Sequence, residues 1–501
     1  MTRIYCFTLH KCLNGEDPKE MVYGRCCTQQ IVKISLKWLI RPRPTASALY
    51  VVAVVCVLGT MLISLSQIFH VHTTISPPAH HWSIHFLSDT GIHGMNYTNI
   101  TERNETKFIW THPEIDILHK EPFQFLKKYK NPCWQEPLYT TNVYQNNKYS
   151  LLSPHVRSTI IRLMTEWSTR LARDQIPQRM RCLPYFFIIG QPKCGSTDLF
   201  RRILQHPDVV SPPIKELHWW SRNRMGKRLN YTDIIPLSDY IDMFDHAAVQ
   251  IERRGDKVKH QIVTGEASVS VMWENDDWWH LPENVGQDEP LYTNADYMKH
   301  FLPNLKVIII LRNPSERLFS DYLYFNPTAN KSLEDFHKKV NFSVQLYENC
   351  FNNHSIRHCL YNYTIGMASQ VRLRIGVYSV YLKDWLKLYP RDQFLVLTLN
   401  EYSGKMLKTM KKVFKFLKLR PLSKEQYIAM KKLRRQNKRK YKDTKVGAMM
   451  NKTKQMLETF YGQFDNELSE ILGYEFSWES MEEHNNSYVK NAPVVDENDY
   501  F

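Results

Sequence analysis

Four short apolar runs recur along the middle of the chain. They occupy residues 185–189, 261–268, 306–311 and 394–399, and the second of them ends in a polar turn. Short runs with little alternation of apolar and polar residues are typical of strands that are buried on both faces of a parallel sheet. The pattern therefore predicts such a sheet at the centre of the fold.

Segments with helical periodicity separate these runs. Helices are predicted to begin at Ser196 and Pro314 and to cover residues 370–389, 406–417 and 452–472. Strands that alternate with helices fold as a parallel sheet with helices on both sides, and ligands then bind at the carboxyl ends of the strands. The expected fold is therefore α/β, with a sheet of the P-loop type.

The turn after the first apolar run predicts an anion site. Gly190 and Gly195 bracket it with the spacing of a Walker A loop, and Ser196 and Thr197 begin the next helix. Main-chain N–H groups of such a loop point at the same place as the positive end of the helix dipole. The Walker lysine is absent, since Ser196 takes its position and Lys193 stands inside the loop. This departure argues against a nucleoside triphosphate and favours an anion that bridges two groups.

A second anion site is predicted where the third apolar run ends. Arg312 follows the run, Pro314 starts a helix, and Ser320 lies close to two helical turns further on. A guanidinium can hold a phosphate through two parallel hydrogen bonds, and a hydroxyl can add another. The alternative, that Arg312 only pairs with a carboxylate, stays open. Two anion sites at one sheet edge indicate a nucleotide with separated phosphates.

The first part of the chain predicts a membrane anchor. Residues 46–65 form an uncharged apolar run of the length needed to cross a bilayer. Basic residues precede the run and none follows until Arg103, which places the N-terminus in the cytosol and the remainder in a lumen. The expected organisation is a cytosolic tail (1–45), a signal-anchor (46–69), a luminal stem (70–131), a globular catalytic domain (132–478) and a C-terminal tail (479–501).

Charge and glycosylation signals agree with this single-pass type II topology. Lysine and arginine number 66 against 50 aspartates and glutamates, which gives a net charge of +16 and favours an acidic partner. The first N-x-[ST] sequon is at Asn96, after the anchor run. A luminal position excludes nucleic acid as the usual partner, so an anionic glycan is expected.

The cysteines of the luminal part are odd in number. They are Cys133, Cys182, Cys194, Cys350 and Cys359. Luminal cysteines are expected to pair, and a disulfide at Cys194 would distort the anion loop. Cys194 is therefore the predicted free thiol. Cys350 with Cys359 and Cys133 with Cys182 are the predicted pairs, although sequence alone leaves other connectivities open.

Three motifs carry a family resemblance. IIGQPKCGST, LRNPSERLFSDY and IKELHWW together resemble motifs of the Golgi sulfotransferases that use 3′-phosphoadenylyl sulfate (PAPS), and GEASVSVMW and IGVYSVYLKDWL extend the likeness over most of residues 180–475. The resemblance implies a PAPS 5′-phosphosulfate site made by Lys193, Cys194, Gly195, Ser196 and Thr197, and a 3′-phosphate site made by Arg312 and Ser320. It also implies a Golgi-membrane enzyme, with no metal, that transfers a sulfuryl group to the 6-hydroxyl of 4-sulfated N-acetylgalactosamine in chondroitin or dermatan sulfate.

A catalytic base is expected beside Lys193, because the acceptor hydroxyl must lose its proton. By the resemblance, Glu216 matches the glutamate with this role. His218 is the rival, because an imidazole titrates close to neutral pH. In the alternative reading, Glu216 only forms an ion pair with Lys215 or Arg222.

Two further segments are expected to meet the glycan. Trp219 and Trp220 can stack on a sugar ring, and the basic residues 431–445 can draw in a sulfated chain. Other function classes stay open: sulfation of heparan or of another position, and a catalytically inactive glycan-binding protein on the same scaffold. A luminal kinase is disfavoured, because the Walker lysine is missing. Whether the chain forms a homodimer is also open.

Overall fold

The computed structural model describes residues 114–473 and Trp478, apart from residues 141, 153, 175–176, 228–233, 256–260, 327–330, 438 and 440. The predicted cytosolic tail, anchor and C-terminal tail, and most of the predicted stem, lie outside the described residues. In the part of the chain that is described, no helix is long and apolar enough to cross a membrane.

Two sheets are present in the described residues. The strands are β1 (Cys133–Pro137), β2 (Gln178–Cys182), β3 (Phe186–Gly190), β4 (Val209–Val210), β5 (Val263–Glu266), β6 (Lys306–Leu311) and β7 (Phe394–Thr398). β1 pairs with β2 in antiparallel fashion, and the other strands form a parallel sheet in the order β4–β5–β3–β6–β7. The predicted parallel sheet is confirmed, and its four predicted runs are β3, β5, β6 and β7.

Helices cover the parallel sheet and connect its strands. They are α1 (Pro154–Asp174), α2 (Ser196–Ile203), α3 (Leu237–Asp242), α4 (Asp245–Gly255), α5 (Asn294–Phe301), α6 (Pro314–Phe325), α7 (Leu333–Phe351), α8 (Ile356–Tyr361), α9 (Tyr363–Ala368), α10 (Tyr378–Leu388), α11 (Leu399–Gly404), α12 (Met406–Phe416), α13 (Lys424–Lys432), α14 (Tyr441–Thr444) and α15 (Asn451–Leu472). The helices predicted at Ser196, Pro314, 406–417 and 452–472 are confirmed. The prediction over 370–389 is wrong in its first half, where a 3₁₀ turn (Leu373–Gly376) precedes α10.

Side chains of the central strands alternate between two cores. Phe187 and Ile189 pack with α5, α6, α10 and α15 on one face, whereas Phe186 and Ile188 pack with α2, α12 and α13 on the other. β6 alternates in the same way, and all of its residues except Lys306 are fully buried. A strand that is covered on both faces needs apolar side chains in both directions, which is why these runs lack alternation.

The folded part extends further toward the N-terminus than predicted. Residues 114–131 were expected in the stem, yet Ile115 and Ile117 are fully buried in the core. The buried Asn131 side chain also donates to the carbonyl of Leu183 and accepts from the N–H of Thr264. These contacts tie the segment to the start of the parallel sheet.

The predicted cysteine chemistry is confirmed. One disulfide joins Cys133 on β1 to Cys182 on β2, and the other joins Cys350 to Cys359 between α7 and α8. Cys194 is a free and buried thiol. In a luminal protein, both bridges would add stability by restricting the unfolded chain.

Candidate active site

The turn between β3 and α2 has the shape of an anion cradle. Lys193 adopts a positive φ of 67° and Gly195 one of 91°. A Cβ atom at Gly195 would lie 2.9 Å from Leu399 Cδ1, so both the backbone angle and the available space favour glycine there. Among the described residues, no side chain caps the N-terminus of α2. The first-turn N–H groups of α2 therefore open toward the cleft beside Ser196 and Thr197.

The ammonium group of Lys193 lies over an aromatic ring. Its Nζ is 3.3 Å from the ring centroid of Tyr324 and 5.9 Å from that of Phe325. Burial lowers the pKa of Lys193 to about 8, and the nearby cations Arg312 and Arg372 act in the same direction. An anion that binds at the cradle would offset both effects.

A second cation comes from the end of β6. Arg312 lies on the cleft wall and donates through Nη2 to Glu316 Oε2 at 3.0 Å. Asn313 caps α6 by accepting hydrogen bonds from the N–H groups of Ser315 and Glu316. Ser320 lines the same cleft one turn further along α6. Arg312 thus pairs with a carboxylate and also lines the cleft, and phosphate binding by Arg312 stays a prediction.

Strand pairing explains why these two turns are neighbours. β3 and β6 are parallel and adjacent, with Ile188 opposite Ile308 and Gly190 opposite Ile309. The N–H of Gln191 donates to the carbonyl of Ile310 at 2.9 Å, which extends the pairing into the cradle. Because parallel strands end at the same edge, Lys193 and Arg312 enter one cleft of about 720 Å³.

The segment from Lys215 to His218 forms the opposite wall and has an unusual backbone. Glu216 and His218 have positive φ angles of 66° and 53°, which carry strain in residues other than glycine. The surrounding structure fixes this conformation. Ser268 Oγ accepts from the His218 N–H at 2.9 Å, and Asn223 donates through Nδ2 to the Leu217 carbonyl at 2.5 Å.

Glu216 and His218 are neighbours with different access to the cleft. Their side chains come within 3.7 Å, between Glu216 Oε2 and His218 Nε2, and are 38% and 4% exposed respectively. His218 Nδ1 lies 2.7 Å from Ser270 Oγ, which fixes the orientation of the imidazole ring. Glu216 is therefore the more accessible of the two to a substrate.

The acidity of Glu216 is set by opposing effects. Burial raises its pKa, but the contact with His218 and an ion pair with Lys215 outweigh burial and lower the pKa to about 2. The expected ion pair with Lys215 is present. Arg222 does not pair with Glu216, and instead donates through Nε to Glu274.

Several residues of the cleft were not identified from the sequence. Arg372 makes two hydrogen bonds to Asp321, at 2.9 and 2.7 Å, and its guanidinium lies 4.0 Å from the ring centroid of Phe325. Trp273 also lines the cleft. Tyr324 and Phe325, the exposed aromatic pair at the end of α6, line it as well. Such a pair at the end of an amphipathic helix is a sequence signal that could have pointed to the cleft.

Three residues predicted for the site have side chains outside the cleft. Cys194 contributes no side chain to the cleft, because its thiol is buried in the core under the cradle, where burial raises its pKa to about 12. The expectation that Trp219 and Trp220 stack on a sugar is wrong. Both indoles are buried, and they donate to the Ile235 carbonyl and to the Tyr240 hydroxyl.

The basic segment 431–445 reaches the cleft, as expected. Gln436, Asn437 and Arg439 line it, together with the buried Asp443 on α14. Asp443 pairs with Lys331 at 3.1 Å, which attaches this segment to the start of α7. Among the described residues, no group of three or more His, Cys, Asp or Glu side chains could hold a metal ion.

Comparisons with known proteins agree with this geometry. Residues 183–482 match the model of a family described as "Sulfotransferase domain". A mouse (Mus musculus) protein named Carbohydrate sulfotransferase 15 is 42% identical over 382 residues, which cover 73% of this chain and 68% of the mouse protein. Its human (Homo sapiens) counterpart is 42% identical over 391 residues, covering 74% and 70%. A mouse Bifunctional heparan sulfate N-deacetylase/N-sulfotransferase 4 is 20% identical over 342 residues, covering 65% and 30%.

Proposed function

We propose that this chain, which belongs to the sulfotransferase family, transfers a sulfuryl group from PAPS to the 6-hydroxyl of 4-sulfated N-acetylgalactosamine in chondroitin or dermatan sulfate. PAPS is the donor that sulfotransferases use. The observation that carries the proposal is the convergence of the cradle, the Arg312 turn and the Glu216 segment in one cleft. The acceptor is supported by the resemblance of the motifs, by the relatives named Carbohydrate sulfotransferase 15 and by the net charge of +16.

The cradle fits the 5′-phosphosulfate. The uncapped start of α2 supplies N–H donors beside the Ser196 and Thr197 hydroxyls, and Lys193 supplies the positive charge. No acidic side chain forms an ion pair with Lys193 among the described residues, since its ammonium lies on Tyr324. Lys193 is thus able to turn toward the oxygen that bridges phosphorus and sulfur, where negative charge develops as the donor bond breaks.

The Arg312 turn fits the 3′-phosphate. Arg312 lines the cleft, and the one hydrogen bond that its guanidinium makes within the described residues, to Glu316, leaves donors for a phosphate. Ser320 adds a hydroxyl on the same helix. The two turns follow adjacent parallel strands and line one cleft, so they can hold two phosphates of one nucleotide.

Glu216 is the proposed base, and His218 is its rival. PAPS supplies a sulfuryl group whose bond to the 5′-phosphate breaks while the acceptor oxygen forms a new bond to sulfur. Glu216 takes the hydroxyl proton because its carboxylate is more exposed than the His218 imidazole. His218, which lies 3.7 Å away, holds the carboxylate in place. A carboxylate with a pKa of about 2 is a weak base. In a loose transfer the acceptor hydroxyl loses its proton late, after the donor bond has largely broken, so a weak base is sufficient.

One assay, run with three acceptors, tests the reaction and the acceptor together. The full-length protein is incubated with radiolabelled PAPS and with chondroitin 4-sulfate, desulfated chondroitin or heparan sulfate, followed by disaccharide analysis. We expect label on carbon 6 of 4-sulfated N-acetylgalactosamine. Preferential labelling of heparan would contradict the acceptor assignment. Binding of PAPS and glycan without turnover would indicate an inactive glycan-binding protein.

We also propose a Golgi-membrane, type II topology with the catalytic domain in the lumen. The apolar run 46–65, its preceding basic residues and the later sequons support it. Endoglycosidase treatment of the protein expressed in cells should increase its electrophoretic mobility. If mobility does not change although the protein is folded, the topology is wrong.

A further inference from the structure

Apart from Arg439 on the basic segment, the arginines and the lysine that line the cleft fall into two groups. Arg312 and Arg372 both act on the charge of Lys193, and all three line the proposed donor site. Arg222 also lines the cleft but lies beside the proposed base, since its N–H donates to the His218 carbonyl at 3.0 Å. Nothing in the donor site accounts for a cation at that position.

The guanidinium of Arg222 is held in a fixed orientation. Its Nε donates to the buried carboxylate of Glu274, and within the described part of the chain this is the hydrogen bond that its side chain makes. The Nη groups, which form the fork that binds oxyanions through two parallel bonds, are left for the cleft. The side chain is 24% exposed.

Glu274 has a second cationic partner besides Arg222. Lys227 Nζ lies 3.6 Å from the other oxygen of Glu274 and 2.7 Å from Asp276, and Arg374 contacts Asp276 at 2.6 Å. Glu274 thus keeps a cationic partner when Arg222 engages a ligand. The same arrangement lets an Arg222 variant fold without leaving a buried carboxylate unpaired.

We propose that Arg222 binds a sulfate ester already present on the acceptor sugar. The inference rests on the proposed function, because the acceptor hydroxyl must face Glu216. Arg222 adjoins the proposed base, because its N–H donates to the His218 carbonyl at 3.0 Å and His218 Nε2 lies 3.7 Å from Glu216 Oε2. The substituents on carbons 4 and 6 of one hexose are likewise close neighbours. With the 6-hydroxyl at Glu216, a 4-sulfate therefore reaches Arg222.

Two measurements test this subsite. The first is calorimetric binding of 4-sulfated and unsulfated chondroitin hexasaccharides to the full-length protein saturated with 3′-phosphoadenosine 5′-phosphate. The second is kcat/KM for the same two acceptors with PAPS. We expect Arg222→Gln to weaken both quantities for the 4-sulfated acceptor by about 10- to 100-fold, the usual effect of losing hydrogen bonds to a charged group. Values for the unsulfated acceptor should change by less than about threefold, and Arg222→Lys should be intermediate because it keeps the charge without the fork.

Lys227→Met is the matched control. It removes the other cation from Glu274 but has no side chain on the cleft wall, so the preference for the 4-sulfated acceptor should persist. If Arg222→Gln still prefers the 4-sulfated acceptor, the inference is wrong. It is also wrong if Lys227→Met loses this preference as much as Arg222→Gln does. The binding arm separates this result from failure of the proposed function. If the wild type transfers no sulfuryl group to chondroitin but binds the 4-sulfated hexasaccharide in an Arg222-dependent way, the subsite stands and the reaction assignment falls.

Discussion

Lys193 should give the enzyme an alkaline limit to its activity. Burial and the neighbouring cations Arg312 and Arg372 lower its pKa from an ordinary value of 10.5 to about 8. The ammonium form, which we propose stabilises the leaving phosphate, predominates below that pKa and is lost as the pH rises through it. In the free enzyme, kcat/KM for PAPS should therefore be level below about pH 8.

The size of the effect follows from the titration and from the contact. Above the pKa, the charged fraction of a single group falls tenfold for each pH unit, so kcat/KM should fall about tenfold between pH 8.5 and 9.5. The bound donor is anionic and favours the ammonium form, which moves the corresponding fall in kcat to higher pH. Lys193→Ala removes a transition-state charge contact that contributes about 3–4 kcal/mol, or two to three decades in kcat/KM at neutral pH.

The assay is a pH profile of kcat/KM with a saturating glycan acceptor, for the wild type and for Lys193→Arg. Arginine stays charged through pH 10, so the fall near pH 8 should disappear in this variant even if its overall rate is lower. Lys130→Arg is the matched control. Burial also lowers the pKa of Lys130 to about 8, but its ammonium donates to the Lys418 carbonyl away from the cleft.

Either of two results would contradict this role of Lys193. A fall near pH 8 that persists unchanged in Lys193→Arg would assign the titration to another group. Loss of that fall in Lys130→Arg would show that it reports stability rather than chemistry. Circular dichroism of each variant across the same pH range separates unfolding from loss of catalysis.

Three further predictions concern Arg312, Glu216 and the Cys350–Cys359 disulfide. Arg312→Ala should raise the KM for PAPS by about 10- to 100-fold with a smaller change in kcat, because the 3′-phosphate is remote from sulfur; an unchanged KM would remove Arg312 from the site. Glu216→Gln should lower kcat by about two to four decades while nucleotide binding, followed by calorimetry, is kept; near-normal turnover in Glu216→Gln together with inactivity in His218→Ala would move the base to His218. Replacing Cys350 and Cys359 by serine should lower the free energy of unfolding by about 2–4 kcal/mol in denaturant titrations, and equal stability would mean that the bridge is absent in solution.

The sequence could predict the strands and turns that position the site, because these depend on local patterns. Strands buried on both faces appear as apolar runs, and β6 was located to the residue. Glycine at a positive φ and the helix start at Ser196 mark the cradle in the same way. Adjacency of Lys193 and Arg312 then follows, because parallel strands end at one edge.

The sequence could not predict which side chains complete the cleft. Trp219 and Trp220 follow Glu216 directly, yet the positive φ angles at Glu216 and His218 turn both indoles into the core. Arg372 was assigned to a helix, and it reaches the cleft because a turn precedes α10. Such outcomes depend on tertiary packing over long sequence separations, which propensity and periodicity do not encode.

The distribution of carboxylates explains why Lys193 differs from the other cleft cations. Glu316, Asp321 and Glu274 pair with Arg312, Arg372 and Arg222, so those guanidiniums are oriented before any ligand binds. Pairing of this kind offsets part of the cost of burying a charge. Lys193 lies on an aromatic ring instead, and Asp321, whose charge it shares with two guanidiniums, raises its pKa less than burial lowers it. These three arginines are therefore held by carboxylates, whereas Lys193 has no such partner among the described residues and lies at the proposed phosphosulfate site. This arrangement would favour the transition state over the bound substrates.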